Sequence, residues 1–199
     1  TASLSMRLDV ASGSGNGGCR DDTATDVSTR FDRFYVYFSA APSSTTMIYQ
    51  ISNSADTGFA DPVAQIRLTT GRQLQLRDKF TQDAITTTAL DANKWHRIEI
   101  GTTGGIMTVR VFNGNGSNDP QANTATETIS DTLTRSAYTT FGVQQVGLLE
   151  SVASTITMYV DEHVASASTW VGPAVRSWGQ NTVYGDVIMG DVATYTPKD

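Results

Sequence analysis

The chemistry open to this chain rests on few groups: two histidines, one cysteine and 20 carboxylates in 199 residues. His96 and His163 stand in strand-like segments with no serine or thiol motif beside them, and neither a G-x-S-x-G elbow nor an H-E-x-x-H pair occurs. Both read as partly buried, hydrogen-bonded structural residues rather than as a base or a metal ligand. Asp161 and Glu162 are adjacent; on a regular strand they point to opposite faces and cannot flank one bond. Asp161 reads as a structural anchor, since a buried carboxylate must be paired or hydrogen-bonded. Asp21, Asp22 and Asp26 form an acidic cluster without the D-x-D-x-D-G spacing of an EF-hand loop, and zinc spacing is missing. No motif demands a cofactor; calcium at these three aspartates is the sharper alternative.

Short polar groups suited to sugar hydroxyls gather at Asn113, Asn115, Asn118 and Asp119 in a turn-rich stretch that ends at Pro120. Binding residues concentrate on such loops, and the bland alternative is a solvated turn. Asn115-Gly116-Ser117 fits the glycosylation sequon, which matters only in a eukaryotic secretory host. Tyr138 and Trp170 lie near loops, and Trp178, Tyr184 and Tyr195 follow in the tail; an exposed ring can stack on a sugar or anchor a partner. Trp95, between alternating apolar residues, reads as core.

The elements that must position these groups are strands. Apolar and polar residues alternate with period two in Leu4–Val10, Phe31–Ser39, Thr46–Ser52, Val63–Thr69, Arg72–Asp78, Lys94–Ile100, Ile106–Phe112, Ala125–Leu133 and Thr155–Val164. Thr70-Gly71 and Thr102-Thr103-Gly104-Gly105 supply hairpin connections. Ile66 and Leu68 face inward with Leu74 and Leu76, and Phe31–Ser39 is apolar enough on both sides to be central. Many strands without intervening helices exclude a parallel βαβ fold and favour a two-sheet sandwich or barrel.

Length permits one domain with a proper core. No run of apolar residues is long enough to cross a membrane as a helix. A formal charge of -6 with 14 thinly spread basic residues argues against nucleic acid, because phosphate neutralisation dominates that binding. The lone Cys19 cannot make an internal disulfide, so core and ladders must hold the fold.

Taken in order, FDRFYVYFSA, IYQIS, AQIRLTTGRQLQLRD, ALDANKWHRIEI, MTVRVFNGNG and YVDEHVASASTWVGP resemble the laminin-G-like branch of the concanavalin A-like lectin/glucanase superfamily. NKWHRIEI at Asn93–Ile100 is similar to that branch's W-H-x-[IV] strand, and YVDEHV followed by WVGP to its closing strand. The resemblance implies an all-β, antiparallel two-sheet jelly-roll β-sandwich over residues 1–173. It pairs the segment at 3–10 with that at 155–164, and leaves 174–199, with Gly179, Gly185 and Gly190, as a C-terminal extension.

Such folds serve lectins, adhesion modules, glycosidases and virion proteins alike. Glucanases of the superfamily carry an E-x-D-x-x-E strand, which this chain lacks. The expectation is therefore a non-catalytic, lectin-like module, not an enzyme, that recognises carbohydrate or a protein surface on an extracellular or virion surface. The rival is an assembly protein such as a bacteriophage capsid decoration or tail component, with homo-oligomer or virion neighbours reached through 174–199. A weaker rival is an atypical glycan-cleaving enzyme.

Overall fold

In the computed structural model the described residues are 6–10, 17–56, 62–78, 84–133, 140–150 and 156–174. They form twelve strands: β1 (Met6–Val10), β2 (Gly17–Val27), β3 (Thr29–Phe38), β4 (Thr46–Ser52), β5 (Ala64–Leu68), β6 (Leu74–Asp78), β7 (Ala84–Thr86), β8 (Trp95–Thr103), β9 (Ile106–Phe112), β10 (Glu127–Thr132), β11 (Phe141–Leu148) and β12 (Ile156–Ser166). Two six-stranded antiparallel sheets result. Sheet 1 has the order β1-β12-β3-β8-β9-β10 and sheet 2 the order β2-β11-β4-β5-β6-β7. This is the all-β, antiparallel two-sheet sandwich that the resemblance implied.

Period-two alternation decides what lies between the sheets. Phe34, Val36 and Phe38 of β3, Ile98 and Ile100 of β8 and Val109 and Val111 of β9 meet Ile51, Ile66, Leu68, Leu74, Leu76 and Val146 of sheet 2, all essentially excluded from water. Burying each such side chain contributes about 1.5–3 kcal/mol. β8 turns into β9 through Gly104-Gly105, whose φ angles are 58° and 78°. Two successive left-handed residues make the tight turn whose twist suits a hairpin, and glycine adopts them without strain. β1 pairs with β12 from Met6↔Val160 to Val10↔Ile156, as expected for the first and last strands.

Three departures from the expected pattern matter for function. β2 and β11, which pair with one another, lie outside the segments whose alternation predicts strands, so Asp21, Asp22 and Asp26 belong to a strand. Trp95 is not a core residue: it opposes Tyr37 in register, and ring contacts at 5.6 and 6.3 Å join it to Tyr37 and Tyr159 on the outer side of sheet 1. Its odd number puts it out of phase with the inward Ile98 and Ile100. Third, β12 carries a bulge between Asp161 and Val164, with Glu162 at φ 49°. An extra residue restarts the alternation, so Asp161, opposite Tyr35, and Glu162, near Arg33, both lie on the outer side. The expected split of these two carboxylates across the sheet does not occur.

Candidate functional site

Sheet 2 turns an unusual set of side chains outward. Since Ile66, Leu68, Leu74 and Leu76 face the core, Gln65, Arg67, Gln75 and Arg77 must face away from it. Cross-strand register then assembles a row: Arg20 of β2 lies opposite Gln145 of β11, Gln145 opposite Gln50 of β4, Gln50 opposite Gln65 of β5, and Gln65 opposite Arg77 of β6. A second row, Met47, Arg67, Gln75 and Thr86, runs beside it on β4 to β7. Five strands thus each contribute one amide or guanidinium at intervals of about 4.8 Å, the spacing between neighbouring strands.

The row is partly preorganised. Gln50 is 6% exposed and donates from Nε2 to Oε1 of Gln145 at 2.9 Å. Beside it the loop Asn53–Asp56 folds over β4, where Ser52 donates to Asp56 Oδ2 at 2.8 Å. In the second row Arg67 Nη2 meets Glu150 Oε2 at 2.7 Å, and the same oxygen accepts the Met47 N–H at 3.0 Å. Arg67 Nε is buried without a partner. Amides that can both donate and accept, framed by guanidinium groups, suit a ligand rich in hydroxyl and carboxylate oxygens.

The outer side of sheet 1 has comparable charge but is closed. Arg97, fully buried, stacks its guanidinium 3.5 Å from the Phe112 ring and donates from Nη2 to the Ala122 carbonyl at 2.7 Å. Its Nε lies 3.1 Å from Glu99 Oε1, close enough for an ion pair although not aligned for a hydrogen bond. Burial pushes the Glu99 carboxyl up, and the guanidiniums of Arg97, Arg110 and Arg33 oppose that shift. Arg33 donates to the Gly172 carbonyl at 3.0 Å, and Tyr35 Oη donates to Gln121 Oε1 at 2.8 Å while accepting the Ala174 N–H at 3.1 Å. Two segments, near 119–122 and 166–174, therefore cover this face.

A third polar cluster lies between the sheets. Asp32 of β3 accepts from Arg30 Nε at 3.2 Å and from Tyr49 Oη of β4 at 2.8 Å. His163 Nε2 lies 3.8 Å from Asp32 Oδ1 and accepts from Gln144 Nε2 of β11 at 2.8 Å. Burial first, and then the Asp32 charge, raise the Tyr49 pKa well above the ordinary tyrosine value. This network ties both sheets at one end of the sandwich. His96 is likewise structural: fully buried, it accepts the Gly114 N–H on Nδ1 at 3.0 Å and bonds the Asp91 carbonyl through Nε2 at 2.9 Å.

The residues singled out from the sequence fall elsewhere than the sheet 2 row. Asn113, Asn115, Asn118 and Asp119 do come together, but their side chains fold their own loop. Asn113 Oδ1 accepts from Asn115 N and Asn118 Nδ2, and Asn115 bonds the Asp91 N–H and the Ala89 carbonyl. Asp119 Oδ1 accepts the Gln121 N–H at 2.8 Å. Trp170 packs 5.0 Å from Phe31, with the Arg110 guanidinium 3.7 Å over its ring, as part of the sheet 1 cover. Asp26 accepts Ser54 N–H at 2.7 Å and Thr140 Oγ1 at 3.3 Å, and the register puts Asp21 and Asp22 opposite Gln144 and Val143. Among the described residues no group of three or more His, Cys, Asp or Glu side chains converges on a metal position. Tyr138 and residues 175–199, with Trp178, Tyr184 and Tyr195, lie outside the described residues.

No protein-family description matches this sequence, and no curated protein matches it either. Solved structures do share its fold. A sialidase matches with a TM-score of 0.62 at 7% identity over 82% of this chain, which spans 15% of the sialidase's length. The 1.0 Å structure of alginate lyase A1-II′, a member of polysaccharide lyase family 7, matches with a TM-score of 0.54 at 13% identity, covering 82% of this chain and 79% of that one. A family 7 alginate lyase A1-II′ variant in complex with product matches at 0.55 with the same coverage. At such identities the likeness is one of fold. It overturns the expectation of a non-catalytic module all the same, since enzymes that cleave glycans are built on this sandwich without being excluded by it. That expectation rested on a missing E-x-D-x-x-E strand, which tests for one arrangement of paired carboxylates and not for glycan cleavage in general.

Proposed function

We propose that the chain acts on an acidic polysaccharide as a glycan-cleaving protein, with the outer face of sheet 2 as its substrate surface. The observation that carries this reading is the row Arg20, Gln145, Gln50, Gln65 and Arg77, brought together by register from five adjacent strands. Its step of about 4.8 Å is close to the length of one pyranose unit, so a polymer lying across the strands meets a polar side chain at each sugar. Guanidinium and amide groups recognise carboxylates in a charge-assisted way, and on this face they stand out against a chain of net charge -6.

The same donors favour cleavage by elimination. In such an elimination a base takes the proton from the carbon beside the uronate carboxylate, a carbon–carbon double bond forms, and the glycosidic oxygen on the next carbon leaves and is protonated; the negative charge that builds on the carboxylate meanwhile is what fixed donors stabilise. What the described residues of this face supply is binding and charge stabilisation. The fold neighbours named alginate lyase, matched over most of their length, support the same class.

The test is depolymerisation of alginate, polygalacturonate and a neutral glucan, followed by new reducing ends and by the ultraviolet absorbance of an unsaturated product. We expect turnover of an acidic polymer and none of the neutral one. Absence of turnover with every acidic polymer tried, by a chain shown to be folded, would sink the proposal.

A further inference from the structure

Glu150 sits on the proposed substrate face and is held there from several sides. Its Oε2 accepts the Met47 N–H at 3.0 Å, its carbonyl accepts Thr46 Oγ1 at 3.4 Å, and the preceding Leu149 N–H bonds the Met47 carbonyl at 2.9 Å. The residue is therefore fixed to the first turn of β4 rather than left to solvent, although its side chain is 38% exposed. The same Oε2 takes Arg67 Nη2 at 2.7 Å. Arg67, only 18% exposed, keeps a buried Nε with no partner.

An arginine on a surface that reads carboxylates is thus already facing a carboxylate of the protein. Arginine offers five donors in a planar fork, and Glu150 engages one nitrogen of it. We propose that Glu150 is a specificity-determining residue of this face: an internal competitor standing where a sugar carboxylate would approach Arg67. An acidic glycan must share Arg67 with Glu150 and approach its negative charge. A neutral glycan meets neither cost, because it has no charge to be repelled. Glu150 therefore weakens acidic ligands selectively and keeps Arg67 oriented between encounters. This inference rests on the reading of sheet 2 as the substrate face.

Binding of oligogalacturonate and of a neutral cello-oligosaccharide to the full chain tests it, by calorimetry, with thermal unfolding confirming that each variant is folded. Glu150→Gln keeps the shape and an acceptor for the Met47 N–H but removes the charge. We expect it to bind oligogalacturonate about tenfold tighter, a change of about 1.4 kcal/mol, with no change for the neutral sugar. In an Arg67→Gln background the gain should shrink, because the competition for that guanidinium is gone and only the repulsion by the Glu150 charge is left to relieve. A merely structural role for Glu150 predicts the opposite sign, weaker binding of any ligand. If Glu150→Gln binds oligogalacturonate no tighter while Arg77→Gln weakens it, the assignment of Glu150 is overturned and the substrate face stands. If wild type binds neither oligogalacturonate nor an alginate oligosaccharide, or Arg77→Gln leaves binding unchanged, the face itself is misassigned and the Glu150 inference falls with it.

Discussion

The two outer faces of this sandwich use similar side chains to opposite ends. On sheet 1, Arg97 and Arg110 lie against the rings of Phe112 and Trp170, Arg33 and Arg97 donate to the carbonyls of Gly172 and Ala122, and Glu99 lies beside Arg97. On sheet 2, Gln145, Gln50, Gln65 and Arg77 stand in one register row and Arg67 in the next; among the described residues Gln50 bonds Gln145 and Arg67 pairs with Glu150. A buried charge must be matched within the protein, so the first face is committed to stability. On the second, Gln65, Gln75, Arg77, Gln145 and Arg67 are half-buried side chains that reach the surface of the described residues. The two faces differ in how far their charged groups are matched within the protein, more than in which residues they contain.

The comparison breaks most sharply at Arg97. Arg97→Ala leaves Glu99 buried without its partner, which should cost about 3–5 kcal/mol, read as a lower denaturant midpoint at unchanged slope. A loss below about 1 kcal/mol would mean that the cover over sheet 1 is not closed and that the contrast drawn here is wrong.

Acid sharpens it next. Burial, the larger influence, lowers the His96 pKa, against smaller raising contributions from Asp91. The folded state thus holds this ring neutral where the unfolded chain would protonate it. Stability from His96 is fully present above the unfolded value of about 6.5 and is lost as pH falls below it toward the folded value. Since His96 secures the Asp91 and Gly114 backbones next to the loop that leads to the sheet 1 cover, acid should loosen that side first. Hydrogen exchange across pH 7 to 5, with faster exchange at 113–122 than in β4 to β6, checks it; a His96→Gln variant should lose part of the pH dependence.

The smallest expected effect is on the open face. Arg77→Gln should change stability by no more than about 0.5 kcal/mol, as befits a surface substitution away from any buried network, while weakening an acidic glycan. A large stability loss there would show that sheet 2's row is structural after all.

Much of the fold is legible in the residues. Thr46–Ser52 and Ile106–Phe112 are strands over the predicted spans: the second alternates regularly, and the first is an apolar run whose pairing with β5 shifts register between Met47 and Tyr49. β11 hides because Gln144 faces inward between apolar neighbours, where a polar residue breaks the period. β2 hides because GGCRDDTATDV has almost no apolar face, and β11 is its one partner in the sheet. The site was harder to see, since Gln50, Gln65 and Gln145 are far apart in the chain and only cross-strand register unites them. One signal was present: the polar side of the β5–β6 hairpin is Gln65, Arg67, Gln75 and Arg77, without a carboxylate. A solvated face of an acidic protein would be expected to mix both signs.

The bulge in β12 can also be viewed as a phase slip in a periodic signal. Before it the even residues Ile156, Met158 and Val160 point inward; after it the inward position passes to an odd one, His163, while Val164 turns to solvent. A single residue, Glu162, in a left-handed conformation carries that change of parity. Deleting it would restore an unbroken alternation with His163 still facing inward, opposite Phe34, so the extra residue leaves the tie between the sheets in place and instead sets a second carboxylate on the outer side beside Arg33.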